Sequence, residues 1–241
     1  MTQATQPQAT QPFAEPPGAV LDALGSDERG LSSADAARRL AEAGPNRLPE
    51  PPRPHPLLRF LKHFDDVLIY ILLAAAVLKA ILGEWVDFAV ILAVAVINAL
   101  VGYIQEGRAA SALAGIATML SVDAQVLRDG AWQHVDAEAV VPGDVIRVRS
   151  GDRVPADVRL LEAVSLQVDE AALTGESTPA AKDVEAVGAD AGVGDRTPML
   201  FSGTIVTAGR GVAVVTATGA STEIGRIQAL VTGAGGTSRR R

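Results

Sequence analysis

Val67-Leu68-Ile69-Tyr70-Ile71-Leu72-Leu73-Ala74-Ala75-Ala76-Val77-Leu78-Lys79-Ala80-Ile81-Leu82-Gly83 is a run of seventeen residues broken by one charge, and Phe88-Ala89-Val90-Ile91-Leu92-Ala93-Val94-Ala95-Val96-Ile97-Asn98-Ala99-Leu100-Val101-Gly102-Tyr103-Ile104 is a second seventeen with none. At a helical rise of about 1.5 Å per residue each run covers roughly 25 Å, slightly under the hydrocarbon thickness of a bilayer. Tyr70, Trp85 and Tyr103 are placed to help at the interfaces. A buried helical hairpin of a soluble protein would carry a polar stripe at helical spacing. Neither run shows one, so the pair is read as a transmembrane hairpin with the short connection Glu84 to Asp87.

Charge on either side orients it. Arg47, Arg53, Arg59 and Lys62 precede the first run and Arg108 follows the second, whereas the connection carries only Glu84 and Asp87. The excess of positive charge on the cytoplasmic side then places both chain ends in the cytoplasm. Lys79 lies about one helical turn from the connection, where a long side chain can snorkel outward. Asn98 is read as a hydrogen-bonding partner for another membrane helix rather than an ion ligand.

Beyond the second run, Gln105 to Leu120 keeps helical composition but turns polar, as a stalk would. The pattern then changes to short strands. Ala124 to Arg128 and Ala131 to Val135 flank Asp129-Gly130, a strong two-residue hairpin signal. Ile146 to Arg149, Val158 to Val164, Leu200 to Val206 and Val212 to Thr216 follow as strand candidates, with Ala208-Gly209-Arg210-Gly211 expected to turn the last pair. Thr222 to Val231 is a final helix. A compact β-domain after the stalk is therefore expected.

On the amino-terminal side, Ser32 with Asp35 three positions on makes a helix start, and Gly44-Pro45 a stop. The six prolines between Pro45 and Pro56 predict an extended linker. Met1 to Pro17 holds the tandem Gln3-Ala4-Thr5-Gln6-Pro7 and Gln8-Ala9-Thr10-Gln11-Pro12, a polar repeat expected to be a disordered tail. The fold class that results is an α+β membrane protein: a two-helix transmembrane hairpin and a cytoplasmic β-rich domain with short amino-terminal helices. Its expected divisions are tail 1–17, amino-terminal segment and linker 18–56, hairpin 57–106, stalk and β-domain 107–235, and basic tail 236–241.

Composition excludes several functions. The net charge is −7, and residues 107–235 carry ten basic against sixteen acidic side chains, so nucleic acid is not an expected partner. The chain has no cysteine, which removes disulfides, thiolate metal sites and a cysteine nucleophile. His55, His63 and His134 fall in separate segments without ligand spacing. Arg outnumbers Lys by eighteen to three, which fits a bacterial source with a GC-rich genome.

Thr174-Gly175-Glu176-Ser177 resembles the signature loop of the actuator domain of P-type ATPases. It stands in order with Pro142-Gly143-Asp144, with Gly151-Asp152-Arg153-Val154-Pro155-Ala156-Asp157, with Val168-Asp169-Glu170 and with Phe201-Ser202-Gly203-Thr204. The resemblance runs from about Leu31 to Ile227. Gly30 to Glu50 is similar to the amino-terminal cytoplasmic region of the calcium, sodium/potassium and proton branches, and the spacing from hairpin to actuator most resembles bacterial members of the calcium-type branch. Heavy-metal pumps begin differently, often with a Cys-rich domain and two more helices.

In that family the pump phosphorylates its own Asp and then hydrolyses the aspartyl phosphate. The resemblance implies that Glu176 serves the second step, orienting the attacking water and accepting its proton. Gly175 would let the backbone approach the phosphate closely, and Thr174 and Ser177 offer hydroxyls to fix the turn or the water. The Pro142-Gly143-Asp144 and Gly151 to Asp157 motifs are read as scaffold turns, and Asp152 and Asp157 as turn and cap residues rather than metal ligands.

The family's Asp-Lys-Thr-Gly-Thr phosphorylation motif does not occur in the sequence. ATP and Mg2+ are thus implied for the complete enzyme and not for this chain, which is predicted to be inactive alone and to depend on the remaining pump domains and a lipid membrane. The basic end Gly236 to Arg241, where relatives would continue into a third span, is read as the mark of a truncated product or fragment. The alternatives are a non-catalytic membrane protein that binds or regulates a complete pump, and a weak acyl-phosphate hydrolase using Glu176.

Overall fold

Thirteen-residue strands at 157–169 and 205–217 form the spine of the β-domain, and the rest of its sheet is built outward from them. The computed structural model describes residues 11–48, 65, 67–119 and 123–237, which fall into two compact units. The expectations for residues 1–10, for the proline linker from Pro49 on, for His55 and His63, and for the last four residues of the basic tail lie outside the described residues.

The first unit joins the amino-terminal segment to the β-domain. Its described strands are β1 (Asp123–Arg128), β2 (Ala131–Asp136), β3 (Val145–Arg149), β4 (Asp157–Asp169), β5 (Ala180–Ala181), β6 (Met199–Leu200) and β7 (Ile205–Ala217). They pair antiparallel in the order β2-β1-β3-β7-β4-β5, with β6 also on β4. The predicted hairpin forms as read: Asp129 at φ 52° and Gly130 at φ 74° supply the left-handed turn. Alternation on the strands buries Val126, Ile146, Val148, Val158, Leu160, Val206, Ala213 and Val215 in one core.

The predicted turn at Ala208 to Gly211 does not exist. Those residues run straight through the middle of β7, opposite a bulge in β4 at Val164 to Gln167 where Ser165 has φ 47°. A Cβ at Gly209 would fall 2.2 Å from the Ser165 carbonyl oxygen, and one at Gly211 would fall 2.8 Å from that of Glu162. The glycines are there because two backbones approach closely at a bulge, the other common use of glycine in a strand.

Helices close the unit. α1 (Pro17–Ala23) lays Val20 and Leu21 on Val145 and Val214, on the opposite side of the sheet from the main core. α2 (Ser33–Ala43) begins at the Ser32 cap, whose hydroxyl oxygen accepts the Asp35 N–H, and ends at Gly44 with φ 76°. Arg39 on α2 donates to the carbonyls of Leu24, Gly25 and Pro142. Asn46 donates to the Ala137 and Pro155 carbonyls at 3.0 and 2.9 Å and accepts the Gly219 N–H at 2.8 Å. The start of the expected linker is therefore docked on the β-domain, and the amino-terminal segment belongs to the same unit.

The described part of the expected tail, Gln11 to Pro17, is packed on the β-domain. Phe13 is buried against Met199 and Phe201, beneath the Arg196 guanidinium. The fully buried Arg159 donates to the carbonyls of Pro12, Glu15, Leu160 and Val184. Burial pulls its pKa down to about 10.

The scaffold motifs do more than turn the chain. Asp144 is fully buried and takes two bonds from Arg128, at 2.8 and 2.5 Å, plus the Val141 N–H. Asp157 accepts the N–H groups of Ser202 and Glu223, capping the helix α6 (Glu223–Thr237), with its pKa raised by burial.

The second unit contains α3 (Val67–Ile81) and α4 (Trp85–Met119), packed together through small residues including Ala76, Ala95 and Ala99. Gly83 at φ 79° turns between them, and Lys79 pairs with Glu84 and Asp87 at the turn. Helix α4 starts three residues earlier than expected, at Trp85, and runs on through the predicted stalk. Its stretch Trp85–Arg108, 24 residues, is long and apolar enough to cross a membrane; the 15 described residues of α3 are shorter than a span.

Candidate functional site

The predicted site residues are contiguous, and the structure gives each a definite place on one loop between β4 and β5. Where β4 ends, Asp169 accepts the Ala171 N–H at 2.9 Å and a single helical turn, α5 (Ala171–Thr174), begins. Its amides are used at once: those of Leu173 and Thr174 donate to the Glu170 carbonyl and that of Gly175 to Ala171. Leu173 turns inward onto the cluster of Phe13, Met199 and Phe201.

Gly175 ends the turn in the left-handed conformation, φ 76° and ψ 0°. Among the described residues a Cβ there would meet no atom within 4 Å beyond its own chain neighbours, so what glycine supplies internally is the backbone angle. Thr174 donates its hydroxyl to the Glu170 carbonyl and accepts the Glu176 N–H, both at 3.2 Å. The hydroxyl thus ties the end of the turn to the residue that starts it. Glu176 and Ser177 are exposed.

The return limb is short. β5 pairs Ala180 with Val168 and Ala181 with Gln167, and the Lys182 N–H reaches the Leu166 carbonyl at 2.9 Å. Directly after it, the Lys182 ammonium lies 2.6 Å from the Glu170 carboxylate, with side chains 0% and 3% exposed. The contact is an ion pair without well-aligned hydrogen bonds, and neither charged group has a hydrogen-bonding partner among the described residues. Burial raises the Glu170 pKa and lowers that of Lys182, each opposed by the other's charge.

Sequence reading singled out Glu170 only as part of a motif and passed over Lys182. The available signal was compositional: Lys182 is the one lysine in a β-domain whose other cations are arginines.

Among the described residues no three His, Cys, Asp or Glu side chains stand together as a metal site. The described residues around the loop therefore do not offer the several oxygen ligands that Mg2+ takes. What the loop offers is a solvent-facing carboxylate on a short, internally bonded turn, carried by an antiparallel β-domain.

A β-domain carrying this loop is an actuator domain. Residues 118–232 match the family described as the P-type ATPase actuator domain, and residues 13–79 match the cation transporter/ATPase amino terminus. The chain belongs to the P-type cation-transporting ATPases, of which it carries these two regions.

It is 48% identical over 202 residues to the "Probable cation-transporting ATPase F" of Mycobacterium tuberculosis, covering 84% of this chain and 22% of that protein. It is 40% identical over 211 residues to the "Calcium-transporting ATPase" of Bacillus subtilis, covering 87% and 24%. The chain thus spans about a quarter of the length of these relatives.

Proposed function

We propose that this chain supplies the first membrane hairpin and the actuator domain of a calcium-type P-type pump, and that Glu176 promotes hydrolysis of the aspartyl phosphate carried by another part of that pump. The observation behind this reading is the exposed Glu176 carboxylate on a loop whose two limbs are paired and whose base is buried. Such a carboxylate can hold a water against an acyl phosphate. It takes the water's proton as the oxygen attacks phosphorus and the aspartate oxygen leaves.

Thr174 and Gly175 keep the carboxylate presented, and Ser177 is exposed beside it with a hydroxyl for the water or phosphate. In the complete enzyme ATP and Mg2+ would supply the phosphoryl group and offset its charge. They would be held by the remaining pump domains, which are partners of this chain.

In the same reading α4 crosses the membrane within Trp85–Arg108, and the run Val67 to Gly83, which contains α3, makes a second crossing. The acidic turn around Lys79 then lies outside and both termini lie in the cytoplasm. A bacterial plasma membrane fits the relatives' organisms, and calcium as cargo follows the name of the Bacillus subtilis relative.

The test is a hybrid pump in which residues 11–237 replace the matching segment of the Bacillus subtilis protein, phosphorylated with labelled ATP in isolated membranes. The unaltered hybrid should form and lose an acid-stable phosphoenzyme. Glu176→Gln should form it normally and lose it about 100- to 10,000-fold more slowly. Loss at the unaltered rate would remove Glu176 from the step. A phosphoenzyme on the 241-residue chain alone would refute the division of labour itself.

A further inference from the structure

We infer that Glu170 and Lys182 are positioning residues for Glu176: their buried ion pair ties together the two limbs of the 171–181 loop and so fixes where the loop's carboxylate stands. This rests on the proposed role of Glu176. The geometry is local and specific. Glu170 is the cap residue of the turn that leads to Thr174, and its own carbonyl collects the Leu173 and Thr174 amides and the Thr174 hydroxyl. Lys182 is the first residue after the two-residue strand that brings the chain back.

The loop's two ends are otherwise joined by little. Among the described residues the return limb is held by two ladder positions and the Lys182 amide bond to Leu166, too few contacts to make a loop rigid by themselves. The side-chain pair, 2.6 Å apart and closed from solvent, adds a tie that water cannot loosen. It is also anchored from below. The Lys182 ammonium stands 5.7 Å above the Phe201 ring, and Phe201 packs in the cluster that receives Leu173.

A shift of the loop base by an ångström would therefore move Glu176 relative to its phosphate, an error that costs about 100-fold where geometry is decisive. A buried pair is weak evidence for stability in itself, because neutral side chains of similar shape often replace one without loss. That fact makes the inference testable. The double variant Glu170→Gln/Lys182→Met removes both charges without leaving one unpaired.

Two measurements are made on it. The first is hydrogen exchange of the 241-residue chain in detergent, which needs no other pump domain. The amides of Leu173, Thr174, Gly175, Glu176 and Lys182 should exchange about tenfold faster or more, while those of Val148 and Val214 in the core keep their protection. The second is phosphoenzyme turnover in the hybrid pump, where formation should be unchanged and decay slowed by about tenfold to 100-fold.

Unchanged loop exchange together with decay within twofold of the unaltered protein would overturn the inference. So would loss of protection in core and loop alike, which would make the pair a stabiliser of the whole domain. If Glu176→Gln leaves decay untouched, the catalytic reading fails, and the exchange result still decides whether the pair fixes the loop.

Discussion

Asp129 shows how much a single side chain can carry. Its left-handed backbone makes the β1–β2 turn, and its carboxylate accepts both the N–H and the hydroxyl of Ser33 at the start of α2. The Ser33 hydroxyl, more than any other group, holds the Asp129 pKa below the ordinary value. The folded state thus binds this proton less tightly than the unfolded chain. Its contribution is complete above about pH 4 and disappears as pH falls through the lowered folded value. Asn tolerates the same backbone region, so Asp129→Asn isolates the charge. Thermal melts between pH 5 and 2.5 should show a shallower acid-side decline in the variant than in the parent. At Glu176 and Glu170 the contrast is one of surroundings: the first faces solvent, and the second is sealed at the base of the loop that carries the first.

At the scale of elements, periodicity and cap chemistry identified most pieces correctly. The Asp129-Gly130 hairpin, the Ser32-capped helix ending at Gly44 and the long apolar helix that runs on past its apolar stretch to Met119 all follow from local residue choices. The reading of Ala208 to Gly211 failed because glycine has two uses that sequence does not separate. It permits a turn, and it also permits a neighbouring backbone to come within contact distance. Only the pairing of β7 with the bulge at Ser165 shows which applies. Gly209→Ala forces a Cβ against the Ser165 carbonyl at a residue with φ 77°, and should cost about 3 kcal/mol. Urea unfolding followed by the Trp132 signal measures it. An equally stable variant would mean that β4 and β7 separate easily at this point.

Across the first unit, the amino-terminal segment is tied into the β-domain by contacts that span most of the chain's length. Asn46 bridges residues 137, 155 and 219, Arg39 reaches Pro142, and Arg159 gathers carbonyls from residues 12 and 15. Asn46→Ala strands partners at all three places and should destabilise the unit by about 2–3 kcal/mol. Denaturant unfolding with amide exchange at Gly219 would reveal it, and no change would show the segment to be loosely laid on. None of these partners can be foreseen from the sequence. Pro45-Asn46 reads as the start of a linker, and Gln11 to Glu15 as part of a disordered tail, because burial is decided by what arrives from elsewhere in the chain. What the sequence determined by itself was everything set by near neighbours: the apolar runs, the helix ends, the hairpin turn and the four-residue loop with its carboxylate. Tertiary structure alone decided that Phe13 and Arg159 are interior, that Gly209 faces a bulge, and that Lys182 meets Glu170 beneath the loop. Those outcomes depend on long-range packing and on desolvation, which act between residues far apart in sequence and leave no local periodicity to read.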